Sequence, residues 1–340
     1  MITLSKTSST KNNPIVPDMP PRVLINFSTA CNLRCPHCFL HGSEKEQSRI
    51  KHGTMRSEGA MKIIDEIAPY KPLVQPNMWS EPLLAKHLRE YVLAMKERNI
   101  PVNMNTNGLL LTEDMARFFF DVRLDAVLFS IDAMTPGTQK KIRGIEAIDR
   151  IEGNIDMMLA IRGNALYPRI GTSFTVTYDN EHELGAFVDY WIQKVDLVRV
   201  GLVLDKEIGF SIKVGMERTP CPVLYNTMPI QVNGDVSICC LDSLGEFIVG
   251  NVFEDGGVRA VWHDELFTQV RRWHEEGDWG KVRLCDRCNL WAGQVFKDEK
   301  RDGLLIRRSA QYTYYNRIDR LGSWSQGMNH PDPYYISLHK

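Results

Sequence analysis

Three closely spaced cysteines constrain this chain more than any other feature of its sequence. Cys31, Cys35 and Cys38 lie in the string CNLRCPHC, with three and then two residues between them. Three thiolates can bind three of the four irons of a [4Fe–4S] cluster, because cysteine thiolate is the usual protein ligand of such clusters. No further cysteine occurs before Cys221, so we predict that the fourth iron stays open to another molecule. An open metal position is typical of reactive sites rather than structural ones.

The composition excludes several other kinds of binding site. The chain has 340 residues, of which 43% are hydrophobic and 24% are charged, with a formal net charge of −1. This balance gives no electrostatic basis for binding nucleic acid or an anionic membrane. No apolar run reaches membrane-spanning length, and the polar N-terminus lacks the apolar core of a signal peptide. We therefore expect a cytoplasmic protein, in which eight cysteines indicate metal binding rather than disulfides.

Strand-like and helix-like segments alternate along the first part of the chain. The predicted strands are Val23–Ser28, Leu73–Trp79, Val102–Asn105, Ala126–Ile131, Ile170–Thr177 and Leu197–Leu204. The predicted helices are Ser57–Tyr70, Pro82–Arg98, Thr112–Asp121, Glu146–Ile161 and Glu181–Val195. Repeated alternation predicts a parallel sheet covered by helices. Six units predict an α/β fold, a partial (β/α)6 TIM-like barrel whose site lies where the strands end, next to the cysteine loop.

The alternation stops near Ile212, where turns and cysteines become frequent. We therefore predict a flexible N-terminal arm over residues 1–20, the barrel over 21–212 and a small cysteine-rich domain over 213–300. Residues 301–340 are rich in tyrosine and arginine, and we expect them to form a tail that packs on the body. Asn233-Gly234 indicates a tight hairpin turn within the small domain.

CNLRCPHC resembles the cluster motif of the radical SAM superfamily, with His37 at the position where the family usually has an aromatic residue. The resemblance implies that the open iron chelates the amino and carboxylate groups of S-adenosylmethionine (SAM). It also implies reductive cleavage of SAM to a 5′-deoxyadenosyl radical that takes a hydrogen atom from a substrate. An electron donor such as flavodoxin or ferredoxin would supply the electron. The alternative is a zinc knuckle or a set of buried thiols, although zinc sites favour paired C-x2-4-C units.

Four further segments resemble the places where radical SAM proteins hold the cofactor. Glu81 lies in WSEP, which resembles the GGEP motif that receives the methionine ammonium, with both glycines replaced. Asn105 begins NTNG, which matches the TNG turn near the ribose, and Ser130 ends the fourth predicted strand, where a serine often contacts the ribose or carboxylate. Arg143 precedes Gly144 as in the family's RG pair, and a guanidinium can bind the methionine carboxylate through two hydrogen bonds. Each segment alone is equally compatible with a turn or a surface charge.

Four of the remaining cysteines can bind a second [4Fe–4S] cluster. They are Cys221, Cys239, Cys285 and Cys288, the last two forming a C-x2-C unit. The region resembles the SPASM/twitch group of auxiliary-cluster domains, in which a glycine, four residues and a ligand cysteine follow one another, as Gly234 and Cys239 do here. Four cysteines suffice for one auxiliary cluster, as in the shorter twitch form. The alternative is a structural zinc site that holds the C-terminal region together.

Cys240 remains outside both predicted clusters. It neighbours Cys239 in a predicted strand, where adjacent side chains point to opposite faces, so only one of the two reaches the cluster. In certain radical SAM epimerases that the chain resembles, a thiol near the substrate donates a hydrogen atom, and Cys240 is the catalytic candidate for that role. The alternative is a small buried side chain, because free cysteine is among the most buried residue types.

The resemblance implies a small-molecule or peptide substrate. Relatives of this size oxidise or epimerise sugars and aminocyclitols, or modify ribosomally made peptides. Peptide-modifying members often carry a leader-binding domain, and only about twenty residues precede the first predicted strand. We therefore expect oxidation or epimerisation of a small sugar or aminocyclitol, with a peptide maturase as the alternative. A non-catalytic iron–sulfur or zinc protein that binds a partner or senses redox state is the alternative from another class.

Overall fold

The computed structural model describes residues 14–205, 209–210, 217–294 and 296–322. Its strands are β1 (Arg22–Ile25), β2 (Leu73–Gln75), β3 (Asn103–Thr106), β4 (Ala126–Ser130), β5 (Arg169–Val176), β6 (Leu197–Leu202), β7 (Leu204–Asp205), β8 (Gly209–Phe210), β9 (Thr227–Ile230), β10 (Asp235–Ser237), β11 (Ile248–Asn251), β12 (Lys297–Arg301), β13 (Leu304–Arg308) and β14 (Tyr312–Arg317). Its α-helices are α1 (Glu44–Gln47), α2 (Ser57–Ile67), α3 (Leu88–Glu97), α4 (Glu113–Asp121), α5 (Pro136–Arg143), α6 (Ile148–Arg162), α7 (Leu184–Lys194), α8 (Val223–Asn226), α9 (Val258–Trp262) and α10 (Glu265–Glu276). Short 3-10 helices cover Pro82–Leu84, Glu181–Glu183, Trp279–Lys281, Leu290–Gln294 and Ile318–Arg320.

Six parallel strands form the centre of the fold, in the order in which they occur along the chain. β1 pairs with β2, and β3, β4, β5 and β6 pair in succession. An isolated parallel bridge between Val74 and Val102 connects β2 to the start of β3. Helices α2, α3, α4, α6 and α7 fall between consecutive strands. The predicted α/β class with a partial (β/α)6 barrel is confirmed.

The helices bury one face against the strands. In α2 the buried residues are Ala60, Ile63, Ile64 and Ile67. Their i, i+3, i+4 and i+7 spacing places them on one side of the helix, which explains why this segment packs as an amphipathic helix. Within the part of the chain that the structure describes, no helix has both the length and the apolar character needed to cross a membrane.

The C-terminal part of the chain extends the sheet at both edges. β9 pairs in parallel with β1 and continues through β10 and β11, while β14 pairs antiparallel with β6 and continues through β13 and β12. Within the predicted tail over residues 301–340, residues 301–322 supply β13 and β14 as strands of the sheet, and residues 323–340 lie outside the described residues. The close approach of β14 depends on Gly201, because a Cβ there would lie 2.9 Å from a ring carbon of Tyr312.

Residues 14–20 pack against α9. The indole Nε1 of Trp262 donates to the carbonyl of Pro17 at 2.9 Å, and Arg259 pairs with Asp18 at 2.5 Å. Met19 is buried. The predicted flexible arm is therefore corrected for residues 14–20, while residues 1–13 lie outside the described residues. The sequence around the arm carries no signal of this contact, because Trp262 follows Pro17 by 245 residues.

The buried carboxylate of Asp196 joins α6, β5 and the C-terminal segment. It accepts hydrogen bonds from the Ile170 N–H at 2.8 Å, from Arg320 Nε at 3.0 Å and from Arg162. Because Asp196→Ala leaves the buried Arg162 guanidinium without this partner, we expect the free energy of unfolding to fall by about 3–5 kcal/mol. Urea denaturation followed by circular dichroism measures the change, with Asp189→Ala on the exposed face of α7 as the matched control. A fall no larger than that of the control contradicts the expectation.

Candidate active site

The cysteine loop follows β1 at the carboxyl end of the barrel strands. Backbone N–H groups lie 3.5 Å from Cys31 Sγ and 3.4 Å from Cys38 Sγ. Arg143 Nη1 lies 3.8 Å from Cys35 Sγ. Burial raises the pKa of all three thiols, to about 11 for Cys31, so iron binding has to release their protons. The N–H donors and the guanidinium stabilise the thiolate form, and this donor set fits three irons of a [4Fe–4S] cluster.

Glu81 connects the end of β2 to the end of β3. Its carboxylate accepts hydrogen bonds from Thr106 Oγ1 at 2.7 Å, from the Asn107 N–H at 2.8 Å and from the Leu83 N–H at 3.2 Å. The side chain is only 2% exposed, and burial raises the pKa of its carboxyl. A carboxylate offers about four acceptor positions, so one position is left for a ligand ammonium. Most of the carboxylate therefore holds strand ends together, and the contact with SAM stays a prediction.

Arg143 is paired with a carboxylate that the sequence analysis does not single out. Its Nη2 lies 2.5 Å and its Nε 2.8 Å from Asp132 Oδ2, and both residues are buried. Asp132 has a φ of 61°, and its Oδ1 accepts from the Thr175 N–H at 2.6 Å. Asp tolerates this left-handed conformation better than most residues. Asp132 thus binds two nitrogens of the guanidinium, and the third, Nη1, points toward Cys35. If Arg143 also binds the SAM carboxylate as predicted, it does so while paired with Asp132.

Asn105 and Ser130 lie near the ends of neighbouring strands. Asn105 Oδ1 is buried and has no hydrogen-bond partner among the described residues, and Ser130 Oγ lies 3.4 Å from Ser173 Oγ. Unsatisfied buried acceptors are rare in folded proteins, so Asn105 is suited to accept from a ligand hydroxyl. The Asn107 side chain donates to Asn32 Oδ1 at 2.7 Å, which ties the NTNG turn to the cysteine loop.

Trp79 occupies the first glycine position of the GGEP-like segment and joins the cysteine loop to the C-terminal region. Its Nε1 donates to the carbonyl of Cys240 at 2.7 Å, and its ring centre lies 4.9 Å from that of Phe39. The neighbouring Ser80 donates from Oγ to Asn26 Oδ1 at 2.9 Å. The two residues that replace the family's glycines therefore make contacts that glycine cannot make.

The four cysteines predicted to bind the auxiliary cluster come together in the C-terminal region. Cys221, Cys239 and Cys288 pack on one apolar cluster of Phe39, Leu241, Leu290 and Trp291. Burial raises the pKa of Cys285 to about 12, and the adjacent Cys288 adds to the rise. In the described part of the chain, no three Cys, His, Asp or Glu side chains are placed to bind one metal ion. Cysteines that share a cluster bind different irons, so they need not converge on one point.

Polar groups surround these cysteines. Arg218 donates to the carbonyl of Asp286 at 2.7 Å and to that of Cys285, so its charge lies beside the C-x2-C unit. The N–H of Cys221 donates to His274 Nδ1 at 3.3 Å. Burial lowers the pKa of His274 to about 4, so this imidazole is neutral at pH 7. Arg218 supplies the positive charge that favours thiolates here.

Cys240 lies directly after Cys239 in a bend. β10 ends at Ser237, so the predicted strand over the two cysteines is corrected, and the argument from alternating strand faces does not apply. The hairpin predicted at Asn233-Gly234 is confirmed, because β9 and β10 pair antiparallel and Gly234 has a φ of 89°. Cys240 lines a cavity whose described lining does not include the four predicted auxiliary cysteines, but it also lies close enough to Cys221 and Cys239 to interact with them electrostatically.

One cavity of about 350 Å³ brings the predicted cofactor residues together. Its lining includes Cys31, Cys35, Cys38, Glu81, Asn105, Ser130, Arg143 and Cys240. Cys221, Cys239, Cys285 and Cys288 are not part of this lining as far as the described residues show. Cavities of this size are typical of small-molecule sites. The geometry therefore separates an active cavity from an adjoining auxiliary site.

Two family models match the chain in the order of the two cysteine groups. The model described as the radical SAM superfamily matches residues 25–190, which contain the cysteine loop and β2 to β5. The SPASM model, described as an iron–sulfur cluster-binding domain, matches residues 221–289, which contain all four auxiliary cysteines. The chain therefore contains a radical SAM domain followed by a SPASM domain. As a SPASM-type radical SAM protein it uses SAM, a SAM-binding [4Fe–4S] cluster and an auxiliary iron–sulfur cluster, and the zinc alternatives are not retained.

Curated radical SAM relatives align with different shares of the chain. Fe-coproporphyrin III synthase of Methanosarcina barkeri is 27% identical over 174 residues, which cover 51% of this chain and 41% of that protein. The chain thus spans less than half of that relative. The mycofactocin maturase MftC of Mycobacterium tuberculosis is 21% identical over 322 residues, which cover 80% of this chain and 78% of that protein. The SAM-dependent 2-deoxy-scyllo-inosamine dehydrogenase of Niallia circulans is 23% identical over 270 residues, which cover 78% of this chain and 91% of that protein.

Solved radical SAM structures share the fold. BtrN in complex with AdoMet and 2-DOIA has a TM-score of 0.53 and 19% identity, covering 80% of this chain and 93% of that chain. Native anSMEcpe with bound AdoMet has a TM-score of 0.60 and 16% identity, covering 78% and 88%. These neighbours agree with the barrel and the C-terminal region seen here.

Proposed function

We propose that this radical SAM enzyme oxidises a small polar molecule. The substrate would lose a hydrogen atom to the 5′-deoxyadenosyl radical, then one electron to the auxiliary iron–sulfur cluster and a proton to water. The observation that carries the proposal is the cavity of about 350 Å³. The cysteine loop, Arg143 and polar residues of the barrel strands all line this one cavity. The alignment with a dehydrogenase over 91% of that protein's length supports an oxidation.

The residues of the cavity divide the work in this proposal. Cys31, Cys35 and Cys38 bind the cluster, which together with SAM supplies a 5′-deoxyadenosyl radical when both are bound. Arg143, held by Asp132, keeps a positive charge at Cys35. Glu81 fixes the end of β3, so that Asn105 faces the cavity, while Ser130 presents a hydroxyl from the next strand.

A peptide substrate is the alternative that the maturase relative supports. The size of the cavity favours a small molecule, because 350 Å³ lies at the lower end of the usual range for small-molecule pockets. SAM has to share this space with the substrate, which leaves little of it for a peptide segment.

Epimerisation is a second candidate, and the position of Cys240 favours it. Cys240 lines the cavity, so its thiol can donate a hydrogen atom to a substrate carbon radical. The resulting thiyl radical then needs one electron and one proton from a reductant to become a thiol again. Burial raises the pKa of Cys240, so the group carries the hydrogen that such a donation requires.

A reaction in D2O separates the two outcomes. The reconstituted protein is incubated with SAM, dithionite and a panel of aminocyclitols and sugars that includes 2-deoxy-scyllo-inosamine, D-glucuronate and D-glucose 6-phosphate, and the products are analysed by mass spectrometry. We expect a product lighter by two hydrogen atoms, without solvent deuterium, and the same product from Cys240→Ala. Epimerisation instead gives an isomer with one solvent deuterium that Cys240→Ala no longer forms, although 5′-deoxyadenosine still appears. No substrate-dependent product from any of these compounds contradicts the small-molecule proposal.

A further inference from the structure

Several barrel strands contribute polar side chains to the lining of this cavity, beside apolar ones such as Leu24 and Phe174. Barrels of this type usually fill their interior with branched apolar side chains. Here Arg22 and Gln75 line the cavity from β1 and β2, and Ser173 and Thr175 line it from β5. Their spacing by two along β5 places both side chains on the inner face. An interior of this kind is suited to a polar ligand.

Arg199 brings an unpaired positive charge into this interior. It lies in β6, lines the cavity and is half-buried. Among the described residues no ion pair or hydrogen bond of its guanidinium is formed. In the strand register it stands opposite Tyr314, two positions before Gly201, which faces Tyr312. A partly buried guanidinium without an acidic partner is unfavourable unless a ligand supplies the negative charge.

A second guanidinium lies near the same point. Arg22 Nη2 donates to the neutral Gln75 Oε1 at 2.5 Å. Burial raises the pKa of the Tyr312 phenol, and the nearby Arg199 and Arg22 oppose the rise, so both arginines lie close to one hydroxyl. Glu81 is the one carboxylate among the described residues of the lining, and it already accepts three protein hydrogen bonds. Glu81 therefore does not neutralise the Arg199 guanidinium.

Two buried oxygen acceptors complete this region. Gln311 Oε1 and Gln294 Oε1 line the same cavity and have no hydrogen-bond partner within the described chain. Gln311 is only 3% exposed, and its Nε2 donates to Tyr312 Oη at 2.9 Å. That bond fixes the amide next to the phenol. Because buried acceptors without donors are costly, ligand hydroxyl or amino groups are the natural donors.

We infer that Arg199 and Arg22 bind a carboxylate or phosphate group of the substrate, while Gln311 and Gln294 accept hydrogen bonds from its hydroxyl or amino groups. The substrate class is therefore an anionic, hydroxyl-bearing small molecule. This inference rests on the proposed function, in which the cavity holds the substrate. Arg143 remains at the cysteine loop, so the two arginine sites serve different ligands.

Equilibrium dialysis tests the inference without turnover. The anaerobically reconstituted protein with SAM is dialysed against D-glucose, D-glucuronate or D-glucose 6-phosphate, which differ in their anionic group. We expect at least one anion to bind about tenfold or more tightly than glucose, because hydrogen bonds to charged groups are the strong ones. Whichever anion binds more tightly, D-glucuronate or D-glucose 6-phosphate, shows whether the site prefers a carboxylate or a phosphate.

Variants assign the effect to Arg199. Arg199→Met is expected to reduce anion binding to the level of glucose with SAM binding unchanged, whereas Arg199→Lys keeps part of the preference. Arg117→Met, which removes an exposed arginine paired with Glu113, is the matched control. Equal binding of glucose and both anions overturns the inference, as does a preference that survives in Arg199→Met. Loss of SAM binding in Arg199→Met also overturns it, because the arginine then belongs to the cofactor site. These binding results do not depend on the proposed oxidation, because the dialysis measures no catalytic step. A failure of the oxidation assay can therefore be distinguished from a failure of this inference.

Discussion

The triple variant Cys31→Ala, Cys35→Ala, Cys38→Ala is expected to lose reductive cleavage of SAM completely. These thiolates line the cavity with the cofactor-pocket residues, and without them no iron is left to bind SAM there. The auxiliary cysteines pack elsewhere in the C-terminal region, so their cluster is expected to remain. Iron should therefore fall from about eight to about four per chain. Liquid chromatography of 5′-deoxyadenosine, together with iron and acid-labile sulfide assays, measures both effects.

The matched control removes cysteines from the other group. Cys285→Ala with Cys288→Ala should also leave about four irons, yet it should retain dithionite-dependent formation of 5′-deoxyadenosine without substrate. The assignment of the two groups is contradicted by 5′-deoxyadenosine from the triple variant, or by loss of all iron in either variant.

Asp132→Asn is expected to lower the free energy of unfolding by about 3–5 kcal/mol, the usual cost of removing one partner of a buried ion pair. Asp132 is fully buried and lies 2.5 Å from Arg143. Asparagine can still accept from the Thr175 N–H, but it leaves the arginine without its counter-charge. Urea denaturation followed by circular dichroism measures the loss, and iron content reports whether Arg143 still supports the cysteine loop.

Asp149→Asn is the matched control for this variant, because Asp149 is exposed near the start of α6. We expect no measurable change in its unfolding midpoint. A change in Asp132→Asn as small as in the control would mean that the pair with Arg143 adds little to stability.

The barrel could be predicted because its signals are local. Most predicted strands between Val23 and Leu204 are rich in apolar residues, helical patterns lie between them, and the observed β1 to β6 overlap these predicted strands. Helix α5 is not among the predicted helices, although its signal is local as well: Thr135 Oγ1 accepts from the Thr138 N–H, Pro136 begins the helix and Gly144 ends it with a φ of 74°. The β12–β13 hairpin is not among the predictions either, although its Asp302-Gly303 turn, with positive φ at both residues, is a local signal for it.

The contacts between distant segments could not be predicted. Nothing in the sequence around Tyr312 indicates that β14 pairs with β6, or that residues 14–20 pack on α9. Pairing of this kind depends on the three-dimensional edges that the completed barrel exposes, and a single sequence does not encode which strand fills an edge.

The candidate site divides in the same way. Motif spacing located Cys31, Cys35, Cys38 and Arg143, all of which line one cavity. It did not locate the partners that hold these groups, such as Asp132, whose side chain reaches Arg143 across the end of a strand. It also gave no reason to consider Arg199, because one arginine in a strand has no distinctive spacing. Partners set by strand register become visible only in the fold.

The central claim is that this chain is a radical SAM enzyme with one auxiliary cluster. One anaerobic reconstitution of the wild-type chain tests it most directly, when iron, sulfide, zinc and 5′-deoxyadenosine are measured on the same sample. We predict about eight irons and about eight sulfides per chain, with 5′-deoxyadenosine formed only when SAM and dithionite are both present. About four irons or fewer, with zinc bound and no 5′-deoxyadenosine above a protein-free control, would contradict the claim.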